Sequence, residues 1–426
     1  MSLDGSEKSG SSSARPSRRN FLKSAAALAL AGSGIASGRQ VAARPARGQA
    51  SGKPRLVYIG SYSFLGPEGE VARGRGIYLF EMDPATGALT QREVFANPRN
   101  PSWLALDPSR KHLYSSDELA HFRGKSSGAV TAYAIDTSNG RLSELNVVSS
   151  GASVPAHISV HPSGRYLLVA NYGGGGVAVL PILPNGGLGP AVDVHQDRGP
   201  VGPLHAASAP PGSFAISGHD APHAHMIHVD PSGKRVISTD LGMDKIMIWN
   251  FDVEKGKLTP NNPHEIAVPP GDGPRHFVFH PNGRWFYCIL EEGSAVDVFH
   301  YDDSTGNMVQ KQVISTLHKG FVGTNFCSEI RISPDAKFIY GANRLRNTIT
   351  IFSIEGDGNL TYVAEEWTHG DYPRSITIDP SGDFIYSLNQ RSDNVTAFRV
   401  DRQTGRLRFT GQYAAVGSPA VMAFLT

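Results

Sequence analysis

Six residues with side chains suited to catalysis, His157, His225, Arg275, His276, Glu329 and Arg374, occupy the same two places in a unit that the chain repeats. Imidazole and carboxylate groups take up and return protons, and guanidinium groups hold negative charge as it develops on oxygen. A site that gathered them would suit acid–base chemistry at a polar bond. They lie far apart along the chain, so the repeat has to bring them together.

The unit reads Pro-x-x-apolar-x-apolar-Asp/His-Pro-x-Gly-Arg/Lys-x-apolar-Tyr-x-x-Asn, with variations. It recurs at Pro101–Asp117, Pro155–Asn171, Ala224–Asp240, Pro274–Leu290, Cys327–Asn343 and Pro373–Asn389. Apolar residues alternate with period two on both sides of a tight turn, as in Ile158–Val169 around Pro162-Ser163-Gly164, which is the pattern of a β-hairpin. A second hairpin follows each, closed by Gly87, Gly140, Gly187, Gly256, Gly306, Gly358 and Gly405 within their turns. Four strands make one blade, which cannot bury its own apolar face and must stack on neighbours. The second hairpins number seven and the complete first hairpins six. Pro419–Phe424 reads as a first strand without a partner, and Arg55–Tyr62 as the second strand it lacks. The expected fold is all-β, a seven-bladed β-propeller of about 53 residues per blade, closed by the C-terminal strand joining the N-terminal blade.

Counting backwards from the Asp/His/Ser-Pro turn of each first hairpin, positions one and three are always apolar and read as packing between blades. Positions four and five vary: Trp103 and Ser102, His157 and Ala156, Met226 and His225, His276 and Arg275, Glu329 and Ser328, Ser375 and Arg374. A hairpin returns antiparallel, so the start of its first strand lies beside the end of its second. Those ends read Asp117-Glu118, Asn171-Tyr172, Asp240-Leu241, Leu290-Glu291, Asn343-Arg344 and Asn389-Gln390. Both sets should surround one mouth of the central channel. Asp117, Asp240 and Asn389 read as residues that cap turns or bond backbone amides. Asn171, Tyr172, Glu291, Asn343, Arg344 and Arg374 read as substrate-binding.

The connection Gly186–Pro222 is rich in Pro and Gly and should overhang that mouth as a wall or lid. It leads into His223 and His225, whose two-residue spacing puts them on one face of a strand. They read as substrate donors. No metal is assigned to them, since no carboxylate stands at an obvious ligand spacing. Gly173–Gly176 joins two strands with no helix behind it and reads as a turn rather than a phosphate loop.

The first 50 residues differ in kind. Arg18-Arg19-Asn20-Phe21-Leu22-Lys23 precedes a short, weakly apolar run, Ala25–Ala36, and small residues ending at Val41-Ala42-Ala43. This is the pattern of a twin-arginine (Tat) export signal, too short to span a bilayer. The expected organisation is a signal and linker over residues 1–50 and one propeller domain over 51–426, delivered by the Tat machinery to the periplasm or exterior with no membrane contact in the mature form. The leader holds eight Lys/Arg against two Asp/Glu, leaving 32 against 36 in the body. The body therefore offers no electrostatic reason to expect nucleic acid. Cys288 and Cys327 lie in different blades and are expected as reduced, packed thiols.

The succession Pro155-Ala156-His157 to Ala170-Asn171-Tyr172-Gly173, then Pro222-His223-Ala224-His225, Gly273-Pro274-Arg275-His276, Glu329-Ile330-Arg331 and Asn343-Arg344, resembles the seven-bladed propeller lactonases. These are the 6-phosphogluconolactonase-like proteins, which also include a carboxy-muconate cyclase. The resemblance covers residues 55–426. It implies a lactonase, a carboxylic ester hydrolase acting on a sugar lactone, with no redox cofactor and a small-molecule lactone or carboxylate as its partner. In that chemistry Glu329 or His276 would be the base and Arg275 the oxyanion stabiliser. His157 and His225 would position the ring oxygens or protonate the leaving alkoxide, and Arg344 and Arg374 would hold an anionic substituent. Two positions depart from the family pattern: Ser375 follows Arg374 where histidine is common, and Leu290 precedes Glu291 where asparagine is common. A muconate-type lactonizing cycloisomerase and a non-catalytic propeller that binds a periplasmic partner or polymer are the alternative readings.

Overall fold

The computed structural model describes residues 53–425 apart from Glu68 and Ser217; the twin-arginine segment lies outside the described residues. Seven four-stranded antiparallel sheets form, each running from an innermost to an outermost strand. Six innermost strands are Pro101–Leu106, Pro155–Val160, Ala224–Val229, Pro274–Phe279, Cys327–Ile332 and Pro373–Ile378. The seventh is Pro419–Phe424, which pairs with Arg55–Ser61 and completes the N-terminal blade from the other end of the chain.

Seven apolar clusters hold the sheets together, and each is shared by two neighbouring blades. One joins Tyr386 and Leu388 of the last blade to Val57 and Phe80 of the first, so the ring closes by the same packing that builds it. The repeated tyrosine adds a latch. The hydroxyls of Tyr58, Tyr114, Tyr287, Tyr340 and Tyr386 donate to the carbonyls of Gly140, Gly186, Gly358, Gly405 and Gly87 at 2.7–3.1 Å, each in the outer turn of the next blade. Those turn glycines sit at φ of 69–84°, where a side chain would be strained.

The sequence motif ends on Asn or Asp for a structural reason. Asp117 accepts from Asn97, Arg99, Ser115 and Thr131. Asn343 bonds Thr316, Asn325, Thr348 and Thr350, and Asn389 bonds Asn394 and Thr396. Asn171 donates to the Ser150 carbonyl at 3.1 Å. These side chains tie the end of a second strand to the outer strands of its blade. Asn171 and Asn343, expected to bind substrate, are instead fully buried in these ties and do not line the mouth. Cys288 and Cys327 are both buried as free thiols.

Candidate active site

Every innermost strand carries the same irregularity. Its register against the second strand slips by one residue just after the first residue, at Pro101/Trp103, Pro155/His157, Ala224/Met226, Pro274/His276, Cys327/Ile330 and Pro373/Ser375. The closing strand repeats it opposite Gly60/Ser61. A β-bulge of this kind leaves one residue unpaired and re-aims its side chain. The unpaired residues include Ala156, His225, Arg275 and Arg374, the position-five set. Ala156, His225 and Arg374 line the mouth cavity, and none of the position-four residues does.

A second repeated bond sets the other half of the wall. The amide of the residue that follows each second strand donates to the carbonyl of a residue before the neighbouring inner strand. The pairs are Glu118 to Asn100, Tyr172 to Val154, Leu241 to His223, Glu291 to Gly273, Arg344 to Phe326 and Gln390 to Tyr372, at 2.7–3.0 Å. Asn100, Val154 and Tyr372 hold φ of 55–63°, a left-handed conformation that costs about 1–3 kcal/mol each for a non-glycine residue. All three line the mouth, so part of the wall rests on strained backbone.

The mouth holds a cavity of about 710 Å³. Its polar wall includes Glu118, His121, Tyr172, His225, Glu291, Arg344, Tyr372 and Arg374. Glu291 is the hub: its Oε2 lies 2.6 Å from Arg344 Nη2 and 2.8 Å from Arg275 Nε. The second contact is near enough for an ion pair, although Arg275 Nε is not aligned on it as a hydrogen bond. Burial alone would raise the Glu291 pKa, but Arg344 and Arg275 outweigh it and hold the carboxyl down at about 2. Arg344 also donates to the Cys327 carbonyl at 2.8 Å. Arg374 lies 5.7 Å from the centre of the Tyr62 ring, whose hydroxyl donates to Glu118 at 3.0 Å, and makes no ion pair among the described residues.

His225 connects the two levels. Its ring lines the cavity and packs edge-on against Tyr172 at 5.6 Å and His276 at 5.0 Å. Its Nδ1 is buried without a hydrogen-bond partner among the described residues. Burial, then Arg275, His276 and Arg374, push its pKa well below the usual histidine value, so the imidazole is neutral. His223 stacks on Tyr172 at 4.2 Å and is fully engaged: Nδ1 bonds the Tyr172 carbonyl and Nε2 bonds Asp220, both at 2.9 Å. Neither ring nitrogen is left for substrate or metal. The expected donor is instead a support for Tyr172.

Beneath the cavity lies a second cluster. His276 Nδ1 meets Glu329 Oε1 at 3.2 Å, and Arg331 meets the other Glu329 oxygen at 3.5 Å. His157 packs against Trp103 at 4.5 Å and His276 at 5.5 Å. The pKa of His276 is depressed to about 4, chiefly by burial, with Glu329 opposing. His157, His276 and Glu329 are each 2% exposed and Arg275 is 1% exposed, and none of the four lines the cavity. The four residues expected to perform the chemistry thus come together within one small volume, one layer below the wall. Two wall residues, Tyr372 and Glu118, were not singled out from sequence. Glu118 stood in the strand-end pattern beside Tyr172, Glu291 and Arg344, and that alignment was the signal for it.

The long connection is a wall, as expected. It bonds Gly242, Pro270, Asp272, Gly323, Thr324 and Asp244 through Gly202, Ala207, Ser208, Pro211, Phe214 and His219, and it sets Ile216 at the cavity.

A closed seven-bladed ring with an arginine–carboxylate–imidazole pocket at one mouth defines a propeller enzyme rather than a scaffold built only for packing. Residues 56–424 match the family model "Lactonase, 7-bladed beta-propeller", and the chain belongs to that family of lactone-cleaving hydrolases. It is 31% identical over 373 residues to a 6-phosphogluconolactonase of Bacillus subtilis, covering 87% of this chain and 98% of that one. A 6-phosphogluconolactonase of Serratia proteamaculans is 28% identical over 371 residues, 87% of this chain and 99% of its own. The structure of a periplasmic gluconolactonase of Pseudomonas aeruginosa superposes with a TM-score of 0.78 at 29% identity, covering 88% of this chain and 99% of that chain.

Proposed function

We propose that the protein hydrolyses a lactone by direct attack of water in the mouth cavity, with His225 as general base. The observation that carries this reading is a neutral imidazole on the cavity wall beside two guanidiniums, one of them fixed by Glu291. A base must be unprotonated at working pH and open to the water; His225 lines the cavity, whereas His276 and Glu329, also unprotonated, do not.

Water adds to the lactone carbonyl carbon as His225 takes one of its protons. The carbonyl oxygen becomes negative and is held by Arg344, with Arg374 beside it. The tetrahedral adduct then expels the ring oxygen, and the proton on His225 passes to that alkoxide. The product is the open hydroxy acid, which ionises to solvent. Glu291 and, behind it, Arg275 position Arg344. No serine–histidine–aspartate arrangement was found in the sequence, which favours direct hydrolysis over an acyl-enzyme. The reading includes Tat export, supported by Arg18-Arg19 ahead of the short apolar run, and so a periplasmic or secreted enzyme.

His225→Asn tests the base. Turnover of a lactone should fall roughly 10²–10⁴-fold with KM changed far less; a loss under threefold removes His225 from the chemistry. Arg374, which makes no ion pair among the described residues, also suits a substrate carboxylate. Cyclisation of a muconate-type dicarboxylate without lactone opening would transfer the site to the cycloisomerase reading, and absence of both reactions would leave a binding module.

A further inference from the structure

The cavity has two halves of opposite character. Its floor is ionic, with Glu118 and Glu291 beside Arg344 and Arg374, and His121 lines the same cavity. Arg275, just behind, adds one positive charge that Glu291 already shares. Arg344 is committed to Glu291 and to the Cys327 carbonyl. A phosphate monoester carries a charge of about −1.5 to −2 at neutral pH and needs a surplus of cations or a set of backbone amides. Here it would meet two carboxylates in the same wall. One uncommitted guanidinium, Arg374, matches one carboxylate or one polarised carbonyl.

The outer half is apolar. Phe64 and Leu65 come from the loop after the second strand of the first blade, Leu119 from the following blade, Ile216 from the long connection, and Phe326 from the far side. Phe64 is 61% exposed and Ile216 is 53% exposed. Large apolar side chains left open to water gain nothing for the fold, and their convergence at the lip of a cavity marks a surface kept for a ligand. The volume exceeds what one six-membered ring fills, so an occupant seated on the ionic floor would extend between these residues.

Resting on the lactonase reading, we infer that the preferred substrate is an unphosphorylated lactone bearing an apolar substituent, with the ring on the ionic floor and the substituent between Phe64 and Ile216. The test compares kcat/KM of the mature protein on 6-phosphoglucono-δ-lactone, glucono-δ-lactone and an alkyl-substituted lactone, δ-decalactone, alongside calorimetric titration with the corresponding slow-opening lactams. The alkyl lactone should exceed the phosphorylated one at least tenfold. In the Phe64→Ser, Ile216→Ser variant the ratio of alkyl lactone to gluconolactone should fall at least tenfold, and alkyl lactam binding should weaken in parallel. Both positions are in exposed loops, and far-ultraviolet circular dichroism checks that the variant is folded. Preference for the phosphorylated lactone, or an unchanged ratio in the variant, overturns the inference and leaves lactone hydrolysis standing. Tight alkyl lactam binding with no turnover of any lactone does the reverse.

Discussion

Glu291 and Glu329 offer a direct test of which layer of the molecule does chemistry. Both are buried carboxylates on neighbouring blades, and both are ion-paired with groups of catalytic type. In Glu291→Gln the isosteric amide keeps one acceptor but removes the charge that Arg344 and Arg275 share. The carboxyl is held near 2 from its usual 4.5, which corresponds to about 3 kcal/mol of preference for the charged form. Breaking a buried pair from one side costs about 3–5 kcal/mol, because the partner charges stay buried. Against a total stability of about 5–15 kcal/mol the variant should remain folded at 25 °C with a lowered urea midpoint. Arg344 loses the contact that fixes it, and displacement of such a group by about 1 Å costs on the order of 10²-fold in rate. Glu329→Gln breaks the contacts to His276 and Arg331 and should also lower the urea midpoint, but its turnover per folded molecule should stay within about threefold of wild type. The assay is proton release on lactone opening, corrected for folded fraction at each condition. If Glu329→Gln loses more turnover than Glu291→Gln, the reaction runs in the axial cluster and the assignment of the wall is wrong.

A buried acid pair away from the wall predicts an unusual pH response. Asp197 faces Asp240, both are almost fully buried, and burial followed by Asp240 raises the Asp197 pKa to about 9. The folded state then holds a proton that the unfolded chain releases above about pH 4, so this group makes stability fall as pH rises from 4 to 9. Asp197→Asn, which mimics the protonated acid, should gain on wild type by about 1.4 kcal/mol per pH unit across that window; parallel urea midpoints at pH 5 and pH 8 would show that the carboxyl is ionised. For export, the Arg18→Lys, Arg19→Lys double substitution should retain the chain in the cytoplasmic fraction. A periplasmic location unaffected by it would remove the Tat reading.

The repeat made the architecture legible because a propeller writes each of its blades in the same residues. The apolar positions one and three, the turn glycines and the tyrosine latch found in five of the seven blades serve contacts that recur around the ring, so their periodicity survives in one sequence. Ring closure was legible for the same reason: Pro419–Phe424 lacked a partner that Arg55–Ser61 supplied. The neighbourhood of the site was legible too, since hairpin geometry brings strand starts and strand ends to one rim. Asn171 and Asn343 tie their own blades, and in sequence a polar residue at a strand end looks the same whether it faces a cavity or makes such a tie.

What the chain determined by itself was which residues would gather at one end of the ring; which of them line the cavity was decided only in three dimensions. The bulge at the start of each inner strand separates positions four and five, sending His225 and Arg374 to the cavity and His276 and Glu329 below it. A bulge leaves no mark in the alternation, because the extra residue is itself variable. The union of Glu291 with Arg275 and Arg344, and the convergence of Phe64 with Ile216, likewise join segments from different blades and loops. Their contacts depend on loop paths and side-chain directions, and neither of those repeats.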